Sequence, residues 1–207
     1  MSFGILIYPG VEELDFQGPW EIAGLWRKYA EGPAPVLVAR DLGAVACAHG
    51  MRVLPDVDFA SSPPLEALLV PGGFAAFDVM KDPGTVAFVR RQADAGATIL
   101  SVCSGTFVLL AAGVLEGRVA STNWKVVKTL RDAGVTVREE RWTHDGPVWT
   151  SAGVSAGIDM MLAYIADRCG EAVASTVQLH AEYFPDPRVY GEARSAADVS
   201  AYIRALP

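Results

Sequence analysis

Histidine and cysteine are both scarce in this chain of 207 residues, with three of each. The cysteines, Cys47, Cys103 and Cys169, form no C-x-x-C pair and are odd in number. That argues against a disulfide framework or a cysteine zinc site, and a reducing cytoplasm fits best. Basic clusters are missing too. Lys and Arg total 17 against 24 Asp and Glu, a net charge of −7. Nucleic-acid binding needs a basic stripe, so nucleic acid is not an expected partner. No apolar run approaches the roughly 20 residues of a membrane span. The start, MSFGILIYPG, is too short and too little basic for a signal peptide. No repeat, low-complexity tract or Pro/Ser linker divides the chain. One domain over residues 1–207 is the expectation.

What the chain does have is an alternation of buried strands and helices. Strands are expected at Phe3–Tyr8, Pro35–Ala39, Ala67–Val70 and Ala97–Val102, with a weak hairpin over Ala44–Leu54. Helices are expected at Pro19–Ala30, Asp82–Ala95, after Cys103, at Trp124–Ala133, and over Ser155–Tyr183 with a break near Gly170. Val135–Arg141 and Val148–Ser151 read as strands around an Asp145-Gly146 turn, and Ser195–Leu206 closes the chain. This order predicts an α/β fold, a mainly parallel sheet sandwiched by helices in three flavodoxin-like layers. Ligands then bind at the carboxyl ends of the strands, where Pro9-Gly10, Gly72-Gly73 and Cys103 fall.

Cys103 is the most informative residue. It joins the β-branched run ending at Val102 to the helical run from Thr106, through Cys103-Ser104-Gly105. Small residues permit the strained strand-to-helix turn of a nucleophile elbow. A thiol there meets the N–H groups of a helix start, which predicts a pKa lowered below about 7. The plain alternative is a buried core cysteine. Gly72-Gly73 and the Ser104 N–H are candidates to cradle a developing anion, or Gly72-Gly73 is only a turn. In VEELDFQGP, Asp15 lies between Leu14 and Phe16 and is expected to point inward, while Glu12 and Glu13 face solvent. A carboxyl beside a thiolate holds its proton more tightly and can shuttle it; the competing role is an N-cap. None of His49, His144 and His180 is placed as an obvious base, which argues against papain-like proteolysis. Ser151-Ala152-Gly153 and Ser155-Ala156-Gly157 read as close packing, and the tryptophans as core or interface residues.

These segments together resemble the ThiJ/PfpI superfamily, of the class I glutamine amidotransferase-like fold. The carriers are LDFQGP (14–19), VPGGF (70–74), SVCSG (101–105), AAGVLEGR (111–118), STNW (121–124), SAGVSAGID (151–159) and VQLHAEY (177–183). The resemblance is greatest to cyclohexyl-isocyanide hydratases and to the sensor domains of certain AraC-type regulators. It implies Cys103 as nucleophile and Asp15 as the acid beside it. It also implies Gly73 and Ser104 as backbone N–H donors, with Gly72, Asn123 and Trp124 around the substrate. The family usually carries histidine where Asn123 stands, which weakens a histidine-assisted step.

The leading expectation is an isocyanide hydratase. The Cys103 thiolate attacks the isocyanide carbon, Asp15 handles the protons, and an N-formamide leaves. No metal or organic cofactor is required, and a homodimer is expected. The alternatives are a glyoxalase- or deglycase-like enzyme acting on α-oxoaldehydes, and a non-catalytic cysteine redox sensor or ligand-binding module.

Overall fold

The computed structural model describes residues 1–186, 188–192 and 199–206. Strands β1 (Ser2–Leu6), β2 (Ala34–Ala39), β3 (Val45–Ala46), β4 (Arg52–Val53), β5 (Val57–Asp58), β6 (Leu65–Val70) and β7 (Thr98–Val102) come from the first half of the chain. β8 (Val119–Ala120), β9 (Thr136–Val137), β10 (Trp142–Asp145) and β11 (Val148–Ser151) follow. The main sheet runs β10-β11-β7-β6-β1-β2-β5. Its pairings are parallel except β10 with β11. β1, β6 and β7 are almost wholly apolar and buried, as strands covered on both faces must be.

Helices α1 (Glu13–Ala30), α6 (Ala156–Cys169) and α7 (Glu171–His180) pack together on one face. α2 (Ala76–Val79), α3 (Pro83–Asp94) and α4 (Gly105–Ala111) form a second layer. The expected three-layer α/β fold is therefore the observed one. The α3 start is as read: Asp82 accepts the Thr85 N–H at 2.8 Å and Pro83 opens the helix.

Three boundaries differ from expectation. α1 begins at Glu13, six residues before Pro19. Acidic Glu13 and Asp15 suit the positive end of the helix, while Pro19 sits inside it and leaves the Asp15 carbonyl without its usual donor. The strand before the Asp145-Gly146 turn is β10, Trp142–Asp145; of Val135–Arg141 only Thr136–Val137 is a strand, β9, and it pairs with β8 outside the main sheet. The charged Arg138-Glu139-Glu140-Arg141 run cannot enter a buried sheet, whereas Trp142 stacks on Trp149 across the hairpin at 5.4 Å. The Trp124 helix opens as a 3₁₀ turn, Trp124–Val126, before α5 (Val127–Asp132). Of the closing helix, α8 (Ala201–Arg204) is seen; residues 195–198 lie outside the described residues.

Candidate functional site

Cys103 follows the last residue of β7 and adopts φ 59°, a left-handed conformation that costs an L-residue about 1–2 kcal/mol. Several contacts hold it there. Its N–H is shared between the Ser151 and Ala152 carbonyls, both at 3.2 Å. Its carbonyl accepts the Thr106 and Thr122 hydroxyls, each at 2.8 Å. Gly105 is needed behind it, because a Cβ there would fall against the Val70 and Pro71 carbonyl oxygens. Gly72 is needed in front, because its Cβ would lie 2.6 Å from the Ser104 nitrogen. The elbow is thus built by three parallel strands meeting at one edge.

Asp15 reaches the same point from the first turn of α1 and is fully buried. Its Oδ2 accepts the Gly72 N–H at 2.8 Å, and its Oδ1 has no hydrogen-bond partner. Tyr8, at the end of β1, donates to the Pro71 and Gly72 carbonyls at 2.6 and 3.0 Å and so pins the loop that holds Asp15. Burial pushes the Asp15 carboxyl up to about 7, with the Glu12 charge adding. The Gly72 N–H, the Cys103 thiol and the Val154 N–H pull it down. A carboxyl with a bare oxygen and a pKa near neutrality is equipped to give and take a proton.

The lowered thiol pKa expected from the sequence is not what this site provides. Burial pushes Cys103 up to about 11 and the Asp15 charge adds to it. The Ser104 N–H and hydroxyl and the Asn123 amide favour the thiolate without offsetting that. The reason is local: α4 is seven residues long, and Cys103 is only 7 % exposed. Around neutral pH the thiol therefore keeps its proton while the Asp15 carboxyl is near its midpoint.

The thiol opens into a cavity of about 210 Å³. Phe74, Phe77, Val126 and Val154 form apolar walls, and Glu12, His49, Asn123 and Lys125 are its polar members. Cys103, Ser104, Gly73 and Asn123 come together there, with Asp15 behind the thiol. Asn123 also caps its turn, its Oδ1 accepting the Lys125 N–H at 3.0 Å. Other expected roles are redistributed. The Gly73 N–H, read as free for an anion, donates to Ser104 Oγ at 3.0 Å. Gly72 serves Asp15 and does not line the cavity. Trp124 turns away into a separate groove with Lys128 and Arg131, because the 3₁₀ turn that Asn123 caps rotates it outward.

Two participants escape a reading by sequence. His49, on the β3–β4 turn, reaches the cavity because Gly10 and Ala48 bond across to Ala46 and Val11. Its Nδ1 lies 2.7 Å from Glu13 and 3.5 Å from Glu12, and the Glu13 hydrogen bond raises its pKa. These three side chains bring their donor atoms within 4.8 Å of one another, an approach that the histidine–carboxylate pairing accounts for. Val154 is the other, with φ 52° and its side chain in the cavity wall. His144 stacks on Trp149 and His180 on Tyr29, both away from the thiol.

An α/β sheet with a cysteine elbow at its carboxyl edge, backed by a buried carboxyl, defines a class of nucleophile-elbow proteins. The DJ-1/PfpI family pattern matches residues 1–167, and the chain belongs to that family. It is 34% identical over 187 residues to the isonitrile hydratase of Pseudomonas putida, covering 90% of this chain and 80% of that protein. It is 29% identical to a deglycase of Thermococcus kodakarensis, over 73% of this chain and 89% of the other. A crystal structure of a ThiJ/PfpI family protein from Pseudomonas syringae superposes with a TM-score of 0.86 at 31% identity, covering 98% of this chain and 82% of that one.

Proposed function

We propose that this chain hydrates an isocyanide to the N-formamide at Cys103. The observation that carries the reading is the buried Asp15 carboxyl, with its unpartnered oxygen, behind the thiol of an apolar cavity. The similarity to an isonitrile hydratase supports it. Sulfur bonds to the terminal isocyanide carbon. The thiol proton leaves through the Asp15 carboxylate and ends on that carbon, giving a thioimidate. Asp15 then takes a proton from water as the water adds to the same carbon. Asp15 passes that proton to the nitrogen; the C–S bond then breaks as the hydroxyl becomes the carbonyl, its proton goes to sulfur, and the formamide leaves with the thiol restored. The Ser104 N–H and the Asn123 amide hold the sulfur through these steps, and the Gly73 N–H serves only after the Ser104 hydroxyl rotates away. No histidine is needed at position 123, since one carboxyl performs both transfers.

A homodimer belongs to the same reading, with Leu14, Leu179 and Phe184 as exposed apolar side chains. A monomer by light scattering at micromolar concentration would remove that part. Three free thiols suit a reducing cytoplasm. The test of the reaction is a panel of isocyanides and methylglyoxal, run on the native protein and Cys103→Ala. Formamide from native protein alone is the expected result. With Cys103 verified as reduced, no formamide from any isocyanide ends the hydratase reading. Turnover of methylglyoxal instead would favour a deglycase-like activity, and turnover of neither a redox sensor.

A further inference from the structure

Arg141 immediately precedes β10 and holds both ends of the loop between β11 and α6. Its carbonyl accepts the Ala152 N–H at 2.9 Å. Its guanidinium donates from Nε to Asp159 Oδ2 at 2.8 Å, and a second nitrogen lies 2.6 Å from the same oxygen. That second nitrogen also donates to Ser155 Oγ at 3.1 Å. Tyr183 donates to Asp159 as well, 3.2 Å from either oxygen. The bracket is half-buried, where a forked guanidinium holds geometry better than a surface pair does.

The bracketed residues hold Cys103 and line its cavity. The Ala152 carbonyl takes the Cys103 N–H. Val154 lines the cavity beside Cys103. Val154 is β-branched and sits at φ 52°, a conformation that persists only where surrounding contacts impose it.

We propose that Arg141 is a positioning residue for the Cys103–Asp15 pair: by bracketing residues 152–155 it holds Val154 in its strained backbone in the cavity wall and keeps the Ala152 carbonyl on the Cys103 N–H. The inference rests on that pair as the reactive centre and on no particular substrate.

The readout is the rate of Cys103 alkylation by iodoacetamide against pH, resolved by peptide mapping so that exposed Cys169 does not count. Glu12 just before α1, Tyr8 after β1, His49 and Lys125 in the cavity lining, and Tyr202 from α8 are the titratable and charged groups around the pair. All are unchanged in the variants Arg141→Met, Asp159→Asn and Ser155→Ala. Each variant loosens the bracket. Each should raise the Cys103 alkylation rate across the profile, by roughly threefold or more for the first two, because the Val154 wall beside the thiol no longer holds its place. Arg141→Lys should restore most of the native profile. A field acting through space predicts opposite shifts for Arg141→Met and Asp159→Asn, and that outcome overturns the proposal. So does a native profile in any of these variants that is folded by circular dichroism. Ser155→Ala changes no charge and removes one strut only, so it decides the matter if the other two do not fold. Isocyanide turnover does not enter the readout, so failure of the hydratase reading leaves this result legible.

Discussion

Cys103 and Val154 follow adjacent parallel strands, β7 and β11, each on the way into a helix and each with a left-handed backbone, at φ 59° and 52°. The two elbows are held in different ways. At Cys103 the restraint is immediate: two threonine hydroxyls and two carbonyls bind the residue's own peptide groups. At Val154 it is indirect, since Arg141 and Asp159 grip the loop on either side. In the proposed reaction the first elbow carries the reacting atom, which needs fixing to within fractions of an ångström. The second carries a wall and an N–H. Strain is tolerated in both because the surroundings over-determine it, but only one of them does chemistry in this reading.

The largest contrast should appear in turnover. Cys103→Ala is expected to lose roughly 10³-fold or more in formamide formation, whereas Val154→Ala stays within about tenfold, measured under single-turnover conditions. Equal losses would dissolve the distinction between reacting and supporting elbows. Next comes Asp15→Asn, expected to slow turnover by roughly 10² to 10⁴-fold.

The same change should alter stability against pH. The folded carboxyl titrates at about 7, above its unfolded value, so its contribution is fully present below about pH 4 and is lost as pH rises through 7. Native protein should therefore lose up to roughly 4 kcal/mol over that window that Asp15→Asn does not lose, seen as a flatter pH dependence of urea midpoints. Parallel curves would mean that Asp15 is not held protonated by burial.

Smaller effects separate the two clamps. Thr122→Val removes one hydroxyl from the Cys103 carbonyl and should cost about 1 kcal/mol in urea unfolding. No cost would show Thr106 to be sufficient alone. Val154→Gly relieves the strain while giving up apolar contact, so its stability should change by no more than about 1 kcal/mol. A larger loss would mean that the side chain, and not the bracket, fixes this loop.

Much of the site was legible in the chain. The small Cys103-Ser104-Gly105 join between two apolar runs marked the elbow, and Leu14 and Phe16 on either side marked Asp15 as inward-facing. Their burial is as read. The start of α1 was not legible, because Pro19 is an equally good first-turn residue and the acidic residues before it read as loop. Trp124 was misplaced because neighbours in sequence on a 3₁₀ turn do not face the same way. The thiol pKa was misjudged because a helix start is visible in sequence, whereas the depth at which it is buried is not.

Sequence by itself determined the layered parallel sheet, since strand and helix periodicities and their alternation are local properties of the chain. It also determined which carboxyl and which thiol could meet, because both follow strands that end on the same edge. Only the tertiary structure decided how they behave. Desolvation depends on everything packed around a group, and the raised Asp15 carboxyl and Cys103 thiol follow from that burial. His49 reaches the cavity through a hairpin folded back over the edge, and Arg141 reaches it through a loop gripped at both ends. Such contacts join residues distant along the chain, so no local pattern records them.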